Sequence, residues 1–142
     1  TQDDKMLRTP TYHVFNMFKG HKDNLLVPSH LQTEDYEFEG QSIPAISQSV
    51  SLADDGSMNM TLTNTNPNKS VALEMTILGG SFDNVQESKV LTAPEVNSIN
   101  TFENPNQIVP VDFDGYRKVS DQKLSVELPS KSVVVLKTRL QK

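Results

Sequence analysis

The sequence predicts an all-β fold, an antiparallel two-sheet β-sandwich of jelly-roll-like type preceded by one α-helix. From Ile46 to the C-terminus, apolar and polar residues alternate with a period of two, which is typical of strands with one buried face. Turn residues interrupt this pattern at intervals of about eight to twelve residues and divide it into about eight strands. Before it, a short aromatic segment opens with Thr9-Pro10, a helix-start signal.

The first predicted element is a helix over residues 10–19. Thr9 suits the N-cap, Pro10 the first helical position and Gly20 the residue that follows the helix. Apolar side chains cover most of its circumference, which is typical of a helix buried on several sides. They are Tyr12, Val14, Phe15, Met17 and Phe18. A small sandwich cannot cover such a helix, so we expect its Tyr and Phe side chains to lie at an interface.

Two further signals shape the segment between the helix and the alternating strands. Residues 25–27 are apolar and predict one strand inside a connection that spans residues 21–40. Four carboxylates then alternate with Tyr36 and Phe38, and they are Glu34, Asp35, Glu37 and Glu39. Convergent carboxylates bind Ca²⁺, but this spacing matches no EF-hand loop. We interpret the run as a solvated face.

The predicted strands are separated by recognisable turns. Asp54-Asp55-Gly56 predicts a hairpin turn in which Gly56 takes a positive φ. Two more turns follow at residues 64–69 and 114–115. The strands cover residues 46–53, 58–63, 71–77, 85–91, 109–113, 116–119, 124–128 and 133–140. Because each has one apolar and one polar face, they predict two sheets stacked face to face.

A long irregular segment separates two of these strands. Residues 92–107 show no alternation, and loops of that length in a compact domain usually have a role. Asn residues, among them Asn100 and Asn104, close local turns and Pro fixes φ, so we predict an ordered Ω-type loop. Ile99 and Phe102 are apolar in polar surroundings, and we expect them to pin the loop onto a core. Packing on its own sandwich is one interpretation, and an interface or ligand loop is the other.

Composition excludes several classes of function. The 142 residues carry a net charge of −5 and no basic patch, so neither nucleic acid nor an anionic membrane is expected as a partner. The longest apolar run, residues 133–136, is far too short to span a bilayer. Cysteine is absent, which excludes disulfides and thiolate chemistry. Residues 1–9 show no signal-peptide pattern and the chain opens without Met, so we expect a processed or cut product.

No pattern predicts catalysis by this chain. Gly-x-Ser-x-Gly, Gly-x-Gly-x-x-Gly and P-loop patterns are absent, so we expect neither a nucleophile elbow nor a cofactor. The imidazoles are His13, His21 and His30. Gly20 should end the helix between His13 and His21, so no metal site is predicted. Sugar-binding sandwiches stack rings on exposed aromatic side chains. Trp is absent, and Tyr36 and Tyr116 are the first candidates for such contacts.

Three segments carry a family signature. The long loop and its flanks contain VLTA, NTFENP and VP in that order. Residues 9–19 read TPTYHVFNMFK, and residues 128–136 read LPSKSVVVL. In order and approximate spacing, the three segments resemble the C-terminal part of the α-L-arabinofuranosidases of glycoside hydrolase family 51. The first matches its C-terminal signature, the second the last helix of its catalytic barrel, and the third its closing strand.

The resemblance implies the C-terminal β-sandwich domain of such an enzyme. Residues 1–21 would be a lead-in and the last helix of the absent barrel, and residues 22–142 the sandwich. The parent protein would remove terminal α-L-arabinofuranosyl groups from arabinan and arabinoxylan with retention, through two barrel glutamates. No residue here matches their motifs, so the chain alone is expected not to be an enzyme. Its partner would be the barrel of the same molecule, and the domain would also help to build homo-oligomers.

Two alternatives stay open at the level of the sequence. One is a free-standing carbohydrate-binding or adhesion module, and the other is a purely structural assembly domain. Binding to arabinan or xylan oligosaccharides separates the first from an accessory domain, because the accessory domain is expected to show no affinity for them.

Overall fold

The computed structural model describes residues 4–141, which form one α-helix, one 3₁₀ turn and twelve strands. The helix α1 covers Pro10–Phe18, and the 3₁₀ turn follows at Lys19–His21. The strands are β1 (Leu25–Leu26), β2 (Asp35–Phe38), β3 (Gln41–Pro44), β4 (Ile46–Leu52), β5 (Ser57–Asn64), β6 (Val71–Thr76), β7 (Ser81–Phe82), β8 (Glu87–Leu91), β9 (Val111–Asp112), β10 (Tyr116–Ser120), β11 (Lys123–Leu128) and β12 (Ser132–Gln141). The fold is all-β with one short helix at its start.

The strands form two antiparallel sheets and a separate hairpin. The larger sheet has the order β1-β4-β5-β12-β8-β9, and β7 pairs with the end of β12. The smaller sheet has the order β10-β11-β6. Within residues 4–141, β2 and β3 pair only with each other. The predicted antiparallel two-sheet sandwich is confirmed.

The hydrophobic core lies between the inner faces of the two sheets. Alternate residues of a strand point to the same face, so β5 buries Met58, Met60 and Leu62 while β11 buries Leu124 and Val126. The same cluster contains Ile46, Val50, Phe82, Val90, Phe113, Leu128, Val134 and Leu136. β5 and β12 contribute five of these residues and are neighbours at the centre of the larger sheet.

The segment between the helix and β4 differs from the prediction. The sequence predicts one strand within a connection, whereas the structure has β1 and a complete hairpin of β2 and β3. The hairpin turns at Glu39 and Gly40, whose φ angles are 49° and 77°. A two-residue hairpin turn of this kind favours Asn or Asp followed by Gly. Glu39 is not one of those residues, and the turn was therefore hidden in the run of carboxylates.

Residues 64–69, predicted as a turn, carry the chain from one sheet to the other. β5 ends at Asn64 in the larger sheet, and β6 begins at Val71 in the smaller one. Another crossover, from the smaller sheet back to the larger one, lies between Leu128, the end of β11, and Ser132, the start of β12. The two crossovers therefore lie side by side at one end of the sandwich.

The side chain of Asn64 joins both crossovers. It is 1% exposed. Its Nδ2 donates to the carbonyls of Lys69 and Pro129, both at 2.9 Å, and to that of Leu128 at 3.4 Å. Its Oδ1 accepts the N–H of Asn66 at 3.0 Å. One buried amide thus satisfies backbone groups from two segments that are distant in sequence.

We expect Asn64→Ala to lower the free energy of unfolding by about 2–4 kcal/mol, because each buried polar group left without a partner costs about 1–3 kcal/mol. Asn68→Ala is the matched control. Asn68 is exposed in the same crossover, and its substitution should change stability by less than about 0.5 kcal/mol. Urea denaturation of the three proteins measures the difference. Equal stability of the two variants would contradict the role assigned to Asn64.

Candidate functional site

The helix α1 lies against β8 and β12 and is covered on one side only. As predicted, Thr9 caps it, since its Oγ1 accepts the N–H of Tyr12 at 3.2 Å, and Pro10 stands at its start. His13 is the only buried residue of the helix, whereas Tyr12 and Phe15 are 46% and 76% exposed. The sandwich therefore leaves an apolar ridge of the helix in solvent.

The end of the helix differs from the prediction. α1 ends at Phe18, and Gly20 lies inside the 3₁₀ turn. A Cβ on Gly20 would come within 2.9 Å of Asn59 Oδ1 on β5. The carbonyl of Gly20 accepts a hydrogen bond of 2.7 Å from Asn24 Nδ2. Close approach of the turn to the sheet is therefore the reason for glycine at this position.

The imidazole of His21 holds the 3₁₀ turn on the larger sheet. Its Nδ1 lies 2.7 Å from Ser51 Oγ, and its Nε2 lies 3.1 Å from Thr61 Oγ1. Ser51 on β4 and Thr61 on β5 are both buried. The half-buried ring of Phe18 packs beside the imidazole, with 6.0 Å between ring centroids. One side chain thus attaches the C-terminal end of the helix to two strands.

The long loop between β8 and β9 is anchored by Asn100, which is 4% exposed. Its Nδ2 donates to the carbonyls of Arg8 and Ile108, both at 2.9 Å, and its Oδ1 accepts the N–H of Ile108 at 2.7 Å. A smaller turn lies inside the loop, where the Asn104 N–H donates to Thr101 Oγ1 at 3.1 Å. These bonds close the loop on itself and tie it to the residues before α1.

The apolar residues expected to pin the loop are not its most buried ones. Ile99 is 62% exposed and Phe102 is half-buried, whereas Ile108 is 3% exposed. Asn100, which the sequence predicts only to close a local turn, bonds both Ile108 and the distant Arg8. Its two donors and one acceptor are the property that suits it to close a loop.

The ridge and the loop together expose a set of apolar side chains that we call the docking face. Its members are Tyr12, Phe15, Val96 and Ile99. Val96 is 78% exposed, and the loop that carries it is bonded to the helix lead-in through Asn100 and Arg8. The guanidinium of Arg8 lies 5.5 Å from the ring centroid of Tyr12. Two exposed apolar residues lie on the helix and two on the loop that is bonded to its lead-in, and exposed apolar surface of this kind favours a protein–protein contact.

The tyrosines suggested for sugar binding lie on different sheets. Tyr36 belongs to β2, whereas Tyr116 opens β10 and packs against the core, 6.3 Å from the ring of Phe113. A cleft of about 300 Å³ opens between β6 and the larger sheet, with Leu73 and Met75 among its lining residues and no tyrosine. Neither Tyr36 nor Tyr116 lines this cleft, so neither could stack on a sugar ring bound there.

Two other kinds of site are absent from residues 4–141. These residues hold no group of three or more His, Cys, Asp or Glu side chains placed to bind a metal ion. Over the same span, no helix is both long and apolar enough to cross a bilayer.

Comparison with known proteins identifies the family. Residues 1–132 match the family described as "Alpha-L-arabinofuranosidase C-terminal domain". The chain belongs to this family. An intracellular exo-α-L-arabinofuranosidase from Bacteroides ovatus is 34% identical over 138 residues, which are 96% of this chain and 26% of that protein. The C-terminal arabinofuranosidase domain thus spans about a quarter of the length of this curated relative.

Solved structures agree with the family. The GH51 arabinofuranosidase from Xanthomonas axonopodis pv. citri is 37% identical, with a TM-score of 0.92 over 98% of this chain and 28% of that protein. The α-L-arabinofuranosidase from Thermotoga maritima, solved with arabinose, has the same fold at 21% identity, with a TM-score of 0.82 over 99% of this chain and 31% of that protein. The chain therefore corresponds to the C-terminal domain of these arabinofuranosidases and spans less than a third of the length of each.

We predict that Asn100, rather than Phe102, determines the stability of the long loop. Asn100→Ala leaves buried groups of Ile108 without partners and should cost about 2–4 kcal/mol. Phe102→Ala should cost less than the 3–5 kcal/mol typical of a fully buried Phe, and Asn104→Ala, at an exposed position, should be nearly neutral. Urea denaturation with hydrogen exchange of residues 92–110 measures these effects. A neutral Asn100→Ala beside a strongly destabilising Phe102→Ala would contradict this ranking.

We predict a loss of stability between pH 7.5 and pH 5.5 that depends on two histidines. Burial lowers the pKa of His13 and nearby Arg8 lowers it further, and burial lowers the pKa of His21. The unfolded chain, with a His pKa of about 6.5, then binds more protons than the native state below that pH, so stability falls as pH falls. His21→Gln should reduce this dependence, whereas Gln32→Ala, at an exposed position without a titratable group, should leave it unchanged. Denaturant titrations at both pH values test this, and identical pH dependence of all variants would contradict it.

Proposed function

We propose that this domain packs on the catalytic barrel of its parent α-L-arabinofuranosidase through the docking face. The parent enzyme would remove terminal α-L-arabinofuranosyl groups from arabinan and arabinoxylan with retention, through two barrel glutamates. The sandwich would supply no catalytic residue. The observation that carries the proposal is the apolar ridge of α1, whose Phe15 remains 76% exposed although the helix is held in place at both ends.

The energetics of the ridge favour a covering partner. α1 has nine residues, and an isolated helix of that length is marginal in water. Its own sandwich buries only the His13 side. Covering the ridge and the neighbouring loop residues would remove on the order of a few hundred Å² of apolar surface from water. At about 25 cal/mol per Å², this burial contributes several kcal/mol.

The relatives support the barrel as the covering body. The Bacteroides ovatus protein is about four times as long as this chain. The length outside the matched domain exceeds the roughly 250 residues that a (β/α)₈ barrel needs. Under this proposal residues 1–21 belong with the barrel and residues 22–142 form the sandwich. The helix would then contact both bodies, and a second copy of the protein would be a further partner through homo-oligomer contacts.

The proposal predicts different effects of Phe15→Ser in two contexts. In the full-length enzyme the substitution should lower the melting temperature of the sandwich by several degrees, because it removes part of the interface. In the 142-residue chain, where the ridge faces water, it should leave the melting temperature unchanged and increase solubility. Leu78→Ser is the control, since Leu78 is 90% exposed and lies outside the docking face. Equal destabilisation in both contexts would show that Phe15 packs within its own domain.

Activity and binding assays complete the test. The full-length enzyme should hydrolyse an aryl α-L-arabinofuranoside, and the 142-residue chain should show neither turnover nor measurable affinity for arabinan and xylan oligosaccharides. Binding of these sugars by the isolated chain would favour a carbohydrate-binding module instead.

A further inference from the structure

The hairpin of β2 and β3 projects from one end of the sandwich. Its base is held by two bonds to neighbouring backbone: the Ala45 N–H donates to the Glu34 carbonyl at 2.9 Å, and Thr65 Oγ1 donates to the Pro44 carbonyl at 3.0 Å. Beyond this base, Tyr36 is half-buried and every other hairpin residue is exposed. A two-stranded hairpin is marginally stable by itself, so this one gains from a surface to pack on.

The two faces of the hairpin differ in chemistry. Tyr36 stands opposite Ile43, and Phe38 lies two residues further on the same face. Phe38 is 61% exposed and Ile43 is 48% exposed. Asp35 and Glu37 point to the opposite face by the same alternation. The hairpin is therefore amphipathic, with an apolar face that residues 4–141 leave largely uncovered.

The charges around the hairpin indicate the kind of surface that would bind it. Its carboxylates are Glu34, Asp35, Glu37 and Glu39, and the sequence has no Lys or Arg between Lys22 and Lys69. Ser42 Oγ donates to Asp35 Oδ2 at 2.9 Å, but no ion pair of the described residues includes any of the four. Lys69 lines a recess with Glu34 and Asp35 without pairing with them. Packing on the same hairpin of a second copy would bring like charges together, which is unfavourable, whereas a basic surface is complementary.

The hairpin and the long loop lie at the same end of the sandwich. The first residue of β4, Ile46, pairs with Asn64, which also pairs with Ser132 at the start of β12. Leu91, the end of β8, pairs with Val133. Three strand spacings of about 4.8 Å separate β4 from β8, or about 14 Å in all. A body that covers the long loop is therefore within reach of the hairpin.

We propose that the β2–β3 hairpin is a docking arm whose Tyr36, Phe38 and Ile43 face packs into an apolar recess on the parent barrel, and that Lys and Arg side chains flank this recess. This inference rests on the proposed function, because it places the arm on the same barrel that the docking face is proposed to contact. It adds the place and the chemistry of a second contact.

Photo-crosslinking in the full-length enzyme tests the arm. Phe38→p-benzoylphenylalanine places a photoreactive ring at the exposed apolar position. After irradiation, mass spectrometry should find an intramolecular crosslink to a peptide outside these 142 residues that contains Lys or Arg. The same substitution at Leu78, which is 90% exposed, should give no such product.

Glu37→Gln with Glu39→Gln should lower the Phe38 crosslink yield several-fold, and 1 M salt should do the same through screening. Glu87→Gln with Glu127→Gln, a matched charge change at exposed positions, should not lower it.

The outcomes separate this inference from the proposed function. A photoreactive residue at Phe15 reports on the docking face: a barrel crosslink from Phe15 without one from Phe38 overturns the arm and leaves the proposed function standing. No barrel crosslink from Phe15 overturns the proposed function itself. A Phe38 crosslink to the sandwich, or to a second copy of the protein, overturns the arm. If the Phe38 crosslink to the barrel forms in the same yield in 1 M salt and in the variant with Glu37→Gln and Glu39→Gln, the basic recess is overturned.

Discussion

The sandwich depends on the buried amide of Asn64, because two of the crossovers between the sheets, β5 to β6 and β11 to β12, meet there. Two stacked sheets need connections that leave one and enter the other, and such connections carry backbone groups that the strand ladders cannot satisfy. Asn64 supplies donors to Lys69, Leu128 and Pro129 and an acceptor to Asn66. An apolar side chain of the same size would leave those carbonyls unpaired in a site that is 1% exposed.

Polar side chains also hold the parts of the domain that face outward. His21 attaches the 3₁₀ turn to β4 and β5, and Asn100 closes the long loop and ties it to Arg8. The apolar core therefore defines the sandwich, whereas hydrogen bonds define the surface through which we propose that it acts. This division explains why Tyr12 and Phe15 can remain exposed on an element that is nonetheless firmly placed.

Strands with one buried face could be predicted from the sequence because their alternation is local. The predicted strand 71–77 appears as Val71–Thr76, and Gly56 has the positive φ predicted for it, 83°. The predicted strand 109–113 shrinks to Val111–Asp112, since Pro110 lacks the N–H that a ladder needs. The sequence predicts Asn100 as a residue that closes turns in the loop, but it predicts neither its bond to Arg8 nor any anchoring role for His21. The bond from Asn100 spans 92 residues to Arg8, and that from His21 spans 30 residues to Ser51, so neither leaves a local pattern.

The two attachments of α1 have a mechanical consequence. Asn100 holds the chain just before the helix and His21 holds it just after, so the helix is fixed to the rest of the domain at both ends. Rotation of the helix about either end would break the hydrogen bonds at the other end. A body seated on the ridge would therefore meet a surface of fixed orientation relative to the sandwich, so motion between the two would depend on their contact alone.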